Sequence, residues 1–416
     1  MTERPLRRNR DFILLQVAGL LSSGGSQISA IAYPLLVLAL TASPAKAGIV
    51  TFARLLGMAV LALPAGLAAD RWPRRRLMIA AHVLRAVAVG SLGLLVVLGE
   101  AVFWVIPVVA FVEGTGAILY SAAHAGAMRA VVPKHQLPDA SAAVTGREAA
   151  IGLASPALGG ALFGLSRALP FLVHAVSYAF ASIALLAMRT PFQEERSNIR
   201  SPLRSRLAEG FRFLWDHAFL RTCAFLFGLA NFIGPGVLLA VVVIGKQQGL
   251  SGGQVGLLVS AFGACLLLGA FLSPFIRRRL PVRGVLLLEL WTWVGCGLFV
   301  VWPNVYVLTA SILPTALAIP STDSVVESYM LAMTPDRLVG RVASVRTTIA
   351  LLIAPLGPLT AGILIDAVSE RAAIGVFAAF GLALALWGTL SRSIRTAPTL
   401  DEITGVPAQG SAAAAS

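Results

Sequence analysis

The sequence predicts an all-α integral membrane protein with twelve transmembrane helices, arranged as two pseudo-symmetric bundles of six. Its composition, its long apolar runs and an internal repeat support this prediction. Of the 416 residues, 57% are apolar and 12% are charged, whereas about a quarter of the residues in soluble domains carry a charge. Runs of roughly eighteen or more mostly apolar residues recur along the chain, and each can cross the hydrocarbon core of a bilayer. A soluble globular fold is therefore excluded.

The apolar runs give the positions of the helices. We expect helices at 12–40, 47–69, 77–98, 101–125, 140–165, 170–188, 218–245, 254–276, 284–302, 305–332, 342–365 and 372–391. The predicted organisation is an N-terminal segment 1–11, a six-helix bundle 12–188, a linker 189–217, a second bundle 218–391 and a disordered tail 392–416. In the linker, apolar residues recur at helical spacing among arginines. This pattern predicts an amphipathic helix, either on the anionic membrane surface or solvated.

The charge of the connecting segments predicts the orientation. Connections on the side of the two termini are rich in arginine. The other side carries four basic residues: Lys46, Arg167, Lys246 and Arg371. Because cytoplasmic loops collect Lys and Arg, we expect both termini in the cytoplasm and multi-pass insertion in a bacterial inner (plasma) membrane. The net charge of +14 then reflects topology rather than nucleic-acid binding. The three cysteines lie inside predicted helices at no metal-ligand spacing, so neither a metal nor a cofactor is expected.

An internal repeat relates the two halves. Arg147 stands nine residues before Pro156 in the fifth predicted helix, and Arg346 stands nine residues before Pro355 in the eleventh. The two arginines are 199 residues apart, which is close to half the chain. Repeats of this kind give many transporters two bundles that move about a site near the membrane midplane.

The connection after the second predicted helix carries a family signature. It contains Gly66, Asp70, Arg71, Arg74 and Arg75. The spacing resembles the loop signature of the major facilitator superfamily, with a proline in place of the second glycine. The resemblance implies a cytoplasmic gate, in which the aspartate and the arginines hold the two halves together when the inside is closed. A cluster of charges that only fixes the topology is the alternative.

The fifth predicted helix carries a second signature, formed by Ser155, Pro156, Gly159 and Gly160. It is similar to a motif of drug and proton antiporters, with serine in place of a glycine. Small residues allow helices to approach closely, and proline permits bending, so the segment suits a moving interface. A static close-packed helix pair would need the same residues. The stretches 132–140 and 208–214 are similar to the branch that contains enterobactin exporters and macrolide-efflux proteins.

Three acidic residues inside predicted helices are candidates for proton coupling. Glu113 lies about halfway along the fourth helix, and a buried pair with Arg54 or Arg85 is its alternative role. Asp323 and Glu327 are four residues apart, so they share one face of the tenth helix. Two neighbouring carboxylates favour retention of a proton by one of them. Pairing with arginine at the cytoplasmic gate is the alternative role of this pair.

Other charged residues are expected near the cytoplasmic ends of the helices. Arg147, Glu148 and Arg346 stand at symmetry-related depths, which favours pairing at the gate. Glu289 and His82 also lie near cytoplasmic ends, where long side chains can reach the interface. We expect both of these residues to be structural.

Polar and aromatic residues predict the lining of a substrate cavity. The candidates are Ser26 and Gln27 in the first helix, Tyr120 in the fourth, and Trp291 and Trp293 in the ninth. The polar side chains would lack hydrogen-bond partners if they faced lipid, so a cavity is the expected environment. The two tryptophans are alternatively anchors at the membrane interface.

The resemblance implies a secondary transporter rather than an enzyme. It is expected to export small amphipathic molecules, such as drugs, antibiotics or siderophore-like compounds, by alternating access and in exchange for protons. We expect a monomer in the lipid bilayer, with a small-molecule substrate and protons as its partners. An importer or facilitator of a small nutrient with the same fold is the alternative.

Overall fold

The computed structural model describes residues 6–190 and 203–397, apart from the side chains of Asp70 and of residues 203–207. Within these ranges the secondary structure is helical, without β-strands, and twelve helical segments are long and apolar enough to cross a membrane. The predicted all-α fold with twelve transmembrane helices is confirmed. Parts of the predicted N-terminal segment, linker and tail, namely 1–5, 191–202 and 398–416, lie outside the described residues.

The first six spans are single α-helices. Their bounds are α1 Arg10–Thr41, α2 Pro44–Arg71, α3 Arg74–Leu98, α4 Val105–Val131, α5 Leu137–Leu165 and α6 Leu169–Leu186. Polar caps fix two of the starts. The Asn9 side chain accepts a hydrogen bond from the backbone N–H of Phe12, and Ser43 caps α2 with Pro44 in its first turn, where a missing N–H is tolerated.

The remaining helices form the linker and the last six spans. Their bounds are α7 Leu203–Asp216, α8 Ala218–Ala230, α9 Ile233–Gln247, α10 Gly252–Arg279, α11 Val282–Val294, α12 Leu298–Val301, α13 Val305–Met333, α14 Asp336–Ile353, α15 Leu356–Ala367, α16 Glu370–Leu390 and α17 Arg392–Arg395. Helix α7 lies in the predicted linker. Three spans of this group consist of two helices each: α8 with α9, α11 with α12, and α14 with α15.

Some helix boundaries differ from the prediction, because a helix and an apolar run need not begin or end at the same residue. Helix α4 begins at Val105 rather than at 101, because the apolar residues before it form a turn. Helix α14 begins at Asp336 rather than at 342, since its first turns carry charge and extend beyond the apolar run. The predicted disordered tail begins at 392, yet residues 392–395 form α17, and Ile394 is buried.

The two groups of spans contact each other from one end of the molecule to about the middle of α5 and α10, where Gly152 and Gly263 meet. An even number of crossings puts both ends of the described chain on one side, here termed the near end; the opposite side is the far end. At the far end, a Cβ atom on Gly160 of α5 would lie 2.1 Å from the carbonyl oxygen of Gly252 of α10. The Ser43 hydroxyl donates a hydrogen bond of 2.6 Å to Asp366 in the last turn of α15. The far end is therefore closed.

At the near end, the ion pairs connect residues within one group of spans or link a span to the linker helix. The ion pairs between Arg147 and Glu148 and between Arg346 and Glu327 each stay within one group of spans. Arg341 of α14 forms an ion pair with Glu209 of the linker helix α7. Across the described residues, these near-end ion pairs do not join the first six spans to the last six.

Candidate functional site

A cavity of about 300 Å³ lies between the two groups of spans. Helices α1, α2 and α5 line it from one side, and α9 and α10 line it from the other. Its wall is mainly apolar and includes Ile31, Leu55, Leu239, Val242, Phe262 and Leu266. The polar lining residues are Gln27, Tyr33, Thr51 and Arg54. A mostly apolar pocket with a few converging polar groups is typical of a site for small molecules.

An ionic cluster lies behind this wall, inside the first six spans. The Glu113 side chain is fully buried and forms ion pairs of 2.6 Å with Arg54 and with Arg85. The Ser26 hydroxyl donates a hydrogen bond of 2.7 Å to the same carboxylate, and the Tyr178 hydroxyl donates one of 3.3 Å. Both carboxylate oxygens of Glu113 are thus occupied, as expected for a buried charge.

Glycines beside Glu113 allow the cluster to form. A Cβ atom on Gly114 would lie 2.0 Å from the backbone oxygen of Arg54, and one on Gly116 would lie 2.5 Å from the side chain of Arg85. Both distances are too short for any other residue, so α4 can approach α2 and α3 closely only with glycine here. The sequence places Glu113 about halfway along its helix, and the structure gives the neighbouring glycines this packing role.

Imidazole and phenol rings extend the cluster within the first bundle. His82 is buried between Tyr120 and Tyr178, with ring centroids 4.6 and 5.4 Å apart. His174 lies 4.3 Å from the Tyr178 ring, and its Nδ1 atom is 2.7 Å from the Ser29 hydroxyl. The sequence interpretation missed His174 and Tyr178, although their spacing of four residues puts both on one helical face. It placed His82 at the interface, whereas the structure buries it.

The predicted cavity residues occupy three different environments. Gln27 lines the cavity, while Ser26 belongs to the ionic cluster and Tyr120 stacks on His82. Trp291 is 42% exposed and donates a hydrogen bond of 3.2 Å to Thr389 of α16. Trp293 is buried and packs against glycines of α9 and α16. The structure does not bring the two tryptophans to the cavity, because α11 packs against α13 and α16 instead of facing the first six spans.

Asp323 and Glu327, the two candidates for proton coupling in the last six spans, are more accessible than Glu113. Asp323 of α13 is exposed and makes no hydrogen bond or ion pair with another residue of the described chain. Glu327 is 47% exposed and forms an ion pair of 2.8 Å with Arg346 of α14. Glu289 of α11 is buried close to Asp323. Of the three candidates for proton coupling, Glu113 is buried in ion pairs, Glu327 is partly exposed in one ion pair, and Asp323 is exposed without one.

Two arginines of the predicted gate loop bind carbonyls of the first six spans in this conformation. Arg74 donates a hydrogen bond of 3.2 Å to the carbonyl of Gly126, and Arg75 donates one to the carbonyl of Leu186. Arg71 is exposed. A Cβ atom on Gly66 would meet none of the described residues within 4 Å.

Two further gate candidates, Arg147 and Glu148, pair with each other. Arg147 donates hydrogen bonds of 2.7 Å to Gln16 and to Glu148. Glu148 also accepts a hydrogen bond of 3.1 Å from Ser23. The side chain of Asp70, another predicted gate residue, lies outside the described part of the chain.

The antiporter-like motif lies where α5 of the first six spans meets α10 of the last six, an interface here termed the seam. A Cβ atom on Gly159 would lie 2.5 Å from the backbone oxygen of Ile28 in α1, and Gly160 faces α10. Ser155 and Pro156 are buried. The backbone N–H of the next residue, Ala157, donates a hydrogen bond of 3.0 Å to Ser260 of α10. The motif thus permits close approach to a helix of its own bundle and to one of the other.

Comparison with known proteins gives the family. The sequence profile described as "Transmembrane secretion effector" matches residues 2–409. The "Multidrug efflux pump Tap" of Mycobacterium tuberculosis is 28% identical over 413 residues, covering 92% of each chain. A bacterial homologue of the human lysosomal transporter Spinster, in an inward-facing and unoccupied conformation, superposes with a TM-score of 0.73 at 16% identity, covering 94% of this chain and 98% of that one.

A D-xylose-proton symporter superposes with a TM-score of 0.71 at 14% identity, covering 91% of this chain and 96% of the symporter. At such identities the superpositions show a shared fold alone. The profile match over nearly the whole chain adds the family, in agreement with the loop signature in the sequence. The chain is a multi-pass membrane transporter that belongs to the transmembrane secretion effector family of the major facilitator superfamily.

Proposed function

We propose that the chain exports small amphipathic molecules, such as drugs, antibiotics or siderophore-like compounds, by alternating access and in exchange for protons. In this proposal it acts as a monomer of the bacterial inner membrane with both termini in the cytoplasm. The observation that carries the proposal is the mostly apolar cavity between two groups of spans that are joined at the far end. With the termini inside, the closed far end faces the exterior, and we propose that the cavity exchanges molecules with the cytoplasm, where an exporter collects its substrate.

The cavity supports the amphipathic character of the substrate. A wall of aliphatic and aromatic side chains favours an apolar molecular body, and the four polar lining residues can orient a polar group. The direction of transport is supported by the relatives named multidrug efflux pumps, which cover 92% of the chain.

We propose Asp323 as the residue that loads and releases the proton. It is exposed and makes no hydrogen bond or ion pair in the described chain, although Arg346 and Glu327 are near enough to act on it electrostatically. Glu113 and Glu327 remain candidates, but each would have to leave an arginine before it could accept a proton. An accessible carboxylate exchanges protons at lower energetic cost than one held in an ion pair.

We further propose that the loop 66–75 closes the near end in the outward-facing state. In the present conformation Arg74 and Arg75 donate to carbonyls of their own bundle. Arg147 and Arg346 are likewise held by acids of their own bundle. Exchange of these local partners for partners across the seam would close the near end without burying an unpaired charge.

Transport into inverted membrane vesicles tests the function. Inverted vesicles that carry the protein should take up members of a drug panel when an inside-acid proton gradient is imposed, and an uncoupler should abolish this uptake. Vesicles without the protein give the background. Cells that express the protein should accumulate less of the same compounds and tolerate higher doses of them.

Two outcomes would contradict the proposal. Concentrative uptake by right-side-out vesicles, with none by inverted ones, would identify an importer. Uptake that persists in full with the uncoupler would exclude proton exchange. Glu100→Gln serves as a control for acid substitutions, because Glu100 is exposed in the connection between α3 and α4, away from the cavity and the seam.

A further inference from the structure

The cavity wall presents a positive charge. Arg54 is the one charged residue among the described residues that line the cavity, and its side chain is 15% exposed. Its Nε atom donates to Glu113, and its Nη2 atom donates to Ser26 at 2.9 Å. Within the described structure the Nη1 group makes no hydrogen bond, and it is not sealed from the cavity. Its N–H bonds are available to a molecule bound there.

Tyr33 contributes its ring to the same wall as this guanidinium. Its side chain is only 1% exposed, and its ring packs against Phe171 with centroids 5.2 Å apart. Its hydroxyl is buried with no hydrogen-bond partner in the described chain, so it is sealed from the cavity. Arg54 is therefore the charged group of this wall that can pair with a bound anion.

The neighbouring carboxylate does not reach the cavity. Glu113 is fully buried, and two arginines, a serine and a tyrosine occupy its oxygens. With two arginines and one glutamate, the cluster carries one excess positive charge. Asp323 is not among the residues that line the cavity. The field at the polar patch of the wall is therefore positive, and a cationic ligand would be repelled there.

We infer that the cavity selects amphipathic molecules that carry a carboxylate, whose oxygens accept hydrogen bonds from the Nη1 group of the Arg54 guanidinium. The apolar wall holds the body of the molecule, while the anion neutralises the excess charge of the cluster. Guanidinium and carboxylate match in geometry and charge, and such charge-assisted bonds are stronger than neutral ones. The inference rests on the proposed function, since it names the substrate class of the same cavity.

Three naphthalene derivatives of nearly equal size test the inference by equilibrium binding to the purified protein in nanodiscs. They are 1-naphthoate, 1-naphthamide and 1-(aminomethyl)naphthalene, of which the last is a cation at neutral pH. Naphthoate should bind about tenfold or more tightly than either of the other two. Empty nanodiscs correct for partition into lipid.

Three variants test whether Arg54 carries the effect. Arg54→Gln should weaken naphthoate binding by about tenfold and leave the amine unaffected or improved. Tyr33→Phe removes a hydroxyl that is sealed from the cavity, so it should change the affinity for naphthoate by less than about twofold. Thr51→Val is the matched control in the same wall, because the Thr51 hydroxyl already donates to the carbonyl of Ala47, and it should change the affinity for naphthoate by less than about twofold.

The variants are expected to fold. In Arg54→Gln the buried Glu113 keeps Arg85, Ser26 and Tyr178 as partners, and Tyr33→Phe removes a hydroxyl that has no partner in the described chain. The inference is overturned if the amide or the amine binds as tightly as naphthoate, if Arg54→Gln weakens all three ligands equally, or if naphthoate does not bind. Drug uptake by inverted vesicles with no naphthoate binding would refute this inference alone. Naphthoate binding without any transport would refute the proposed function alone.

Discussion

The candidates for proton coupling have opposite surroundings in the two bundles. In the first six spans, Glu113 and Arg85 are almost fully enclosed and joined in one ionic cluster. In the last six, Asp323 and Glu327 remain accessible, and the ion pair between Glu327 and Arg346 is partly exposed. A complete buried network is rigid and costly to disturb, whereas an accessible acid can change its protonation at little cost. This contrast favours a first bundle that positions the substrate and a second that responds to protons.

The two bundles also differ in whether their spans are continuous helices. The spans of the first bundle are single helices, while three spans of the second are divided, including the one that α14 and α15 form on either side of Pro355. Proline removes a backbone donor and weakens the helix at that point. In the corresponding span of the first bundle, α5 is continuous through Pro156, and Ser260 of α10 accepts the hydrogen bond of the next N–H group. The second bundle thus has more points at which it can bend.

The largest expected effect is on folding and comes from Glu113→Gln. This change leaves Arg54 and Arg85 facing each other without their shared counter-charge, and loss of one partner from a buried ion pair costs about 3–5 kcal/mol. Thermal unfolding of the purified protein in detergent should show a large fall in Tm. Asp323→Asn, which removes an exposed acid without a partner in the described chain, should leave Tm nearly unchanged.

The double variant Glu113→Gln with Arg85→Met sharpens this test. Removal of the excess cation should recover part of the lost Tm, since the desolvated charge rather than the lost contact dominates the cost. Equal stability of Glu113→Gln and Asp323→Asn would mean that Glu113 already tolerates neutralisation. The first bundle would then contain a proton site, contrary to the contrast drawn between the bundles.

The next effect is on energy coupling and comes from Asp323→Asn. A potential of 100 mV supplies about 2.3 kcal/mol per charge, which corresponds to about fiftyfold accumulation for one exchanged proton. The variant should still bind its ligand and equilibrate it, but the accumulation ratio in energised inverted vesicles should fall towards one. Glu100→Gln is the control and should keep the full ratio. Full accumulation by Asp323→Asn would shift the proton site to Glu327 or Glu113.

The sequence predicts the spans well because a bilayer imposes length and apolarity on each helix. It does not give the direction in which a residue faces. The serines at 22, 26 and 29 recur at helical spacing, yet they point into the first bundle, while Gln27 lines the cavity. Trp291 and Trp293 have suitable depth, but their helix lies away from the cavity.

The sequence does not decide which arginine pairs with Glu113, because it does not give the packing between helices. The sequence offers Arg54 or Arg85 as alternatives, and the structure uses both. That choice depends on how closely α4 approaches α2 and α3, which the glycines at 114 and 116 permit. His82 illustrates the same difficulty: its position along the chain indicates its depth, and only the packing of α3 against α4 and α6 reveals that it is buried.

A smaller effect is expected from closer packing at the seam between the bundles. Gly160→Ala in α5 places a methyl group 2.1 Å from the backbone oxygen of Gly252 in α10, and such overpacking costs about 1–3 kcal/mol. The closed far end should be destabilised and the Tm should fall. Gly164→Ala is the matched control on the same helix, because its added methyl group meets no atom of the described residues within 4 Å. Equal behaviour of the two variants would show that α5 and α10 are not this close.

The smallest effect is expected at the polar contact of the far end. Asp366 accepts hydrogen bonds from the Ser43 hydroxyl and from the backbone N–H of Ala45 at 3.3 Å. These contacts are exposed, so Asp366→Ala should weaken the closed far end by about 1 kcal/mol, or about fivefold in the equilibrium between the two conformations. A cysteine in place of Leu238, in the cavity wall, should react faster with an impermeant maleimide added outside, after replacement of the native cysteines by alanine.

Ser43 also caps α2, so Ser43→Ala alone would combine two losses. A double-mutant cycle with Asp366→Ala isolates the contact between them, since the loss of the cap is common to both branches of the cycle. Glu100→Ala, in another far-end connection, is the control for the removal of an acid and should leave the labelling rate unchanged. Equal labelling of Asp366→Ala and Glu100→Ala would mean that the glycines of the seam hold the far end closed without help from this contact. The polar ends of α2 and α15 would then add nothing to the free-energy difference between the two conformations.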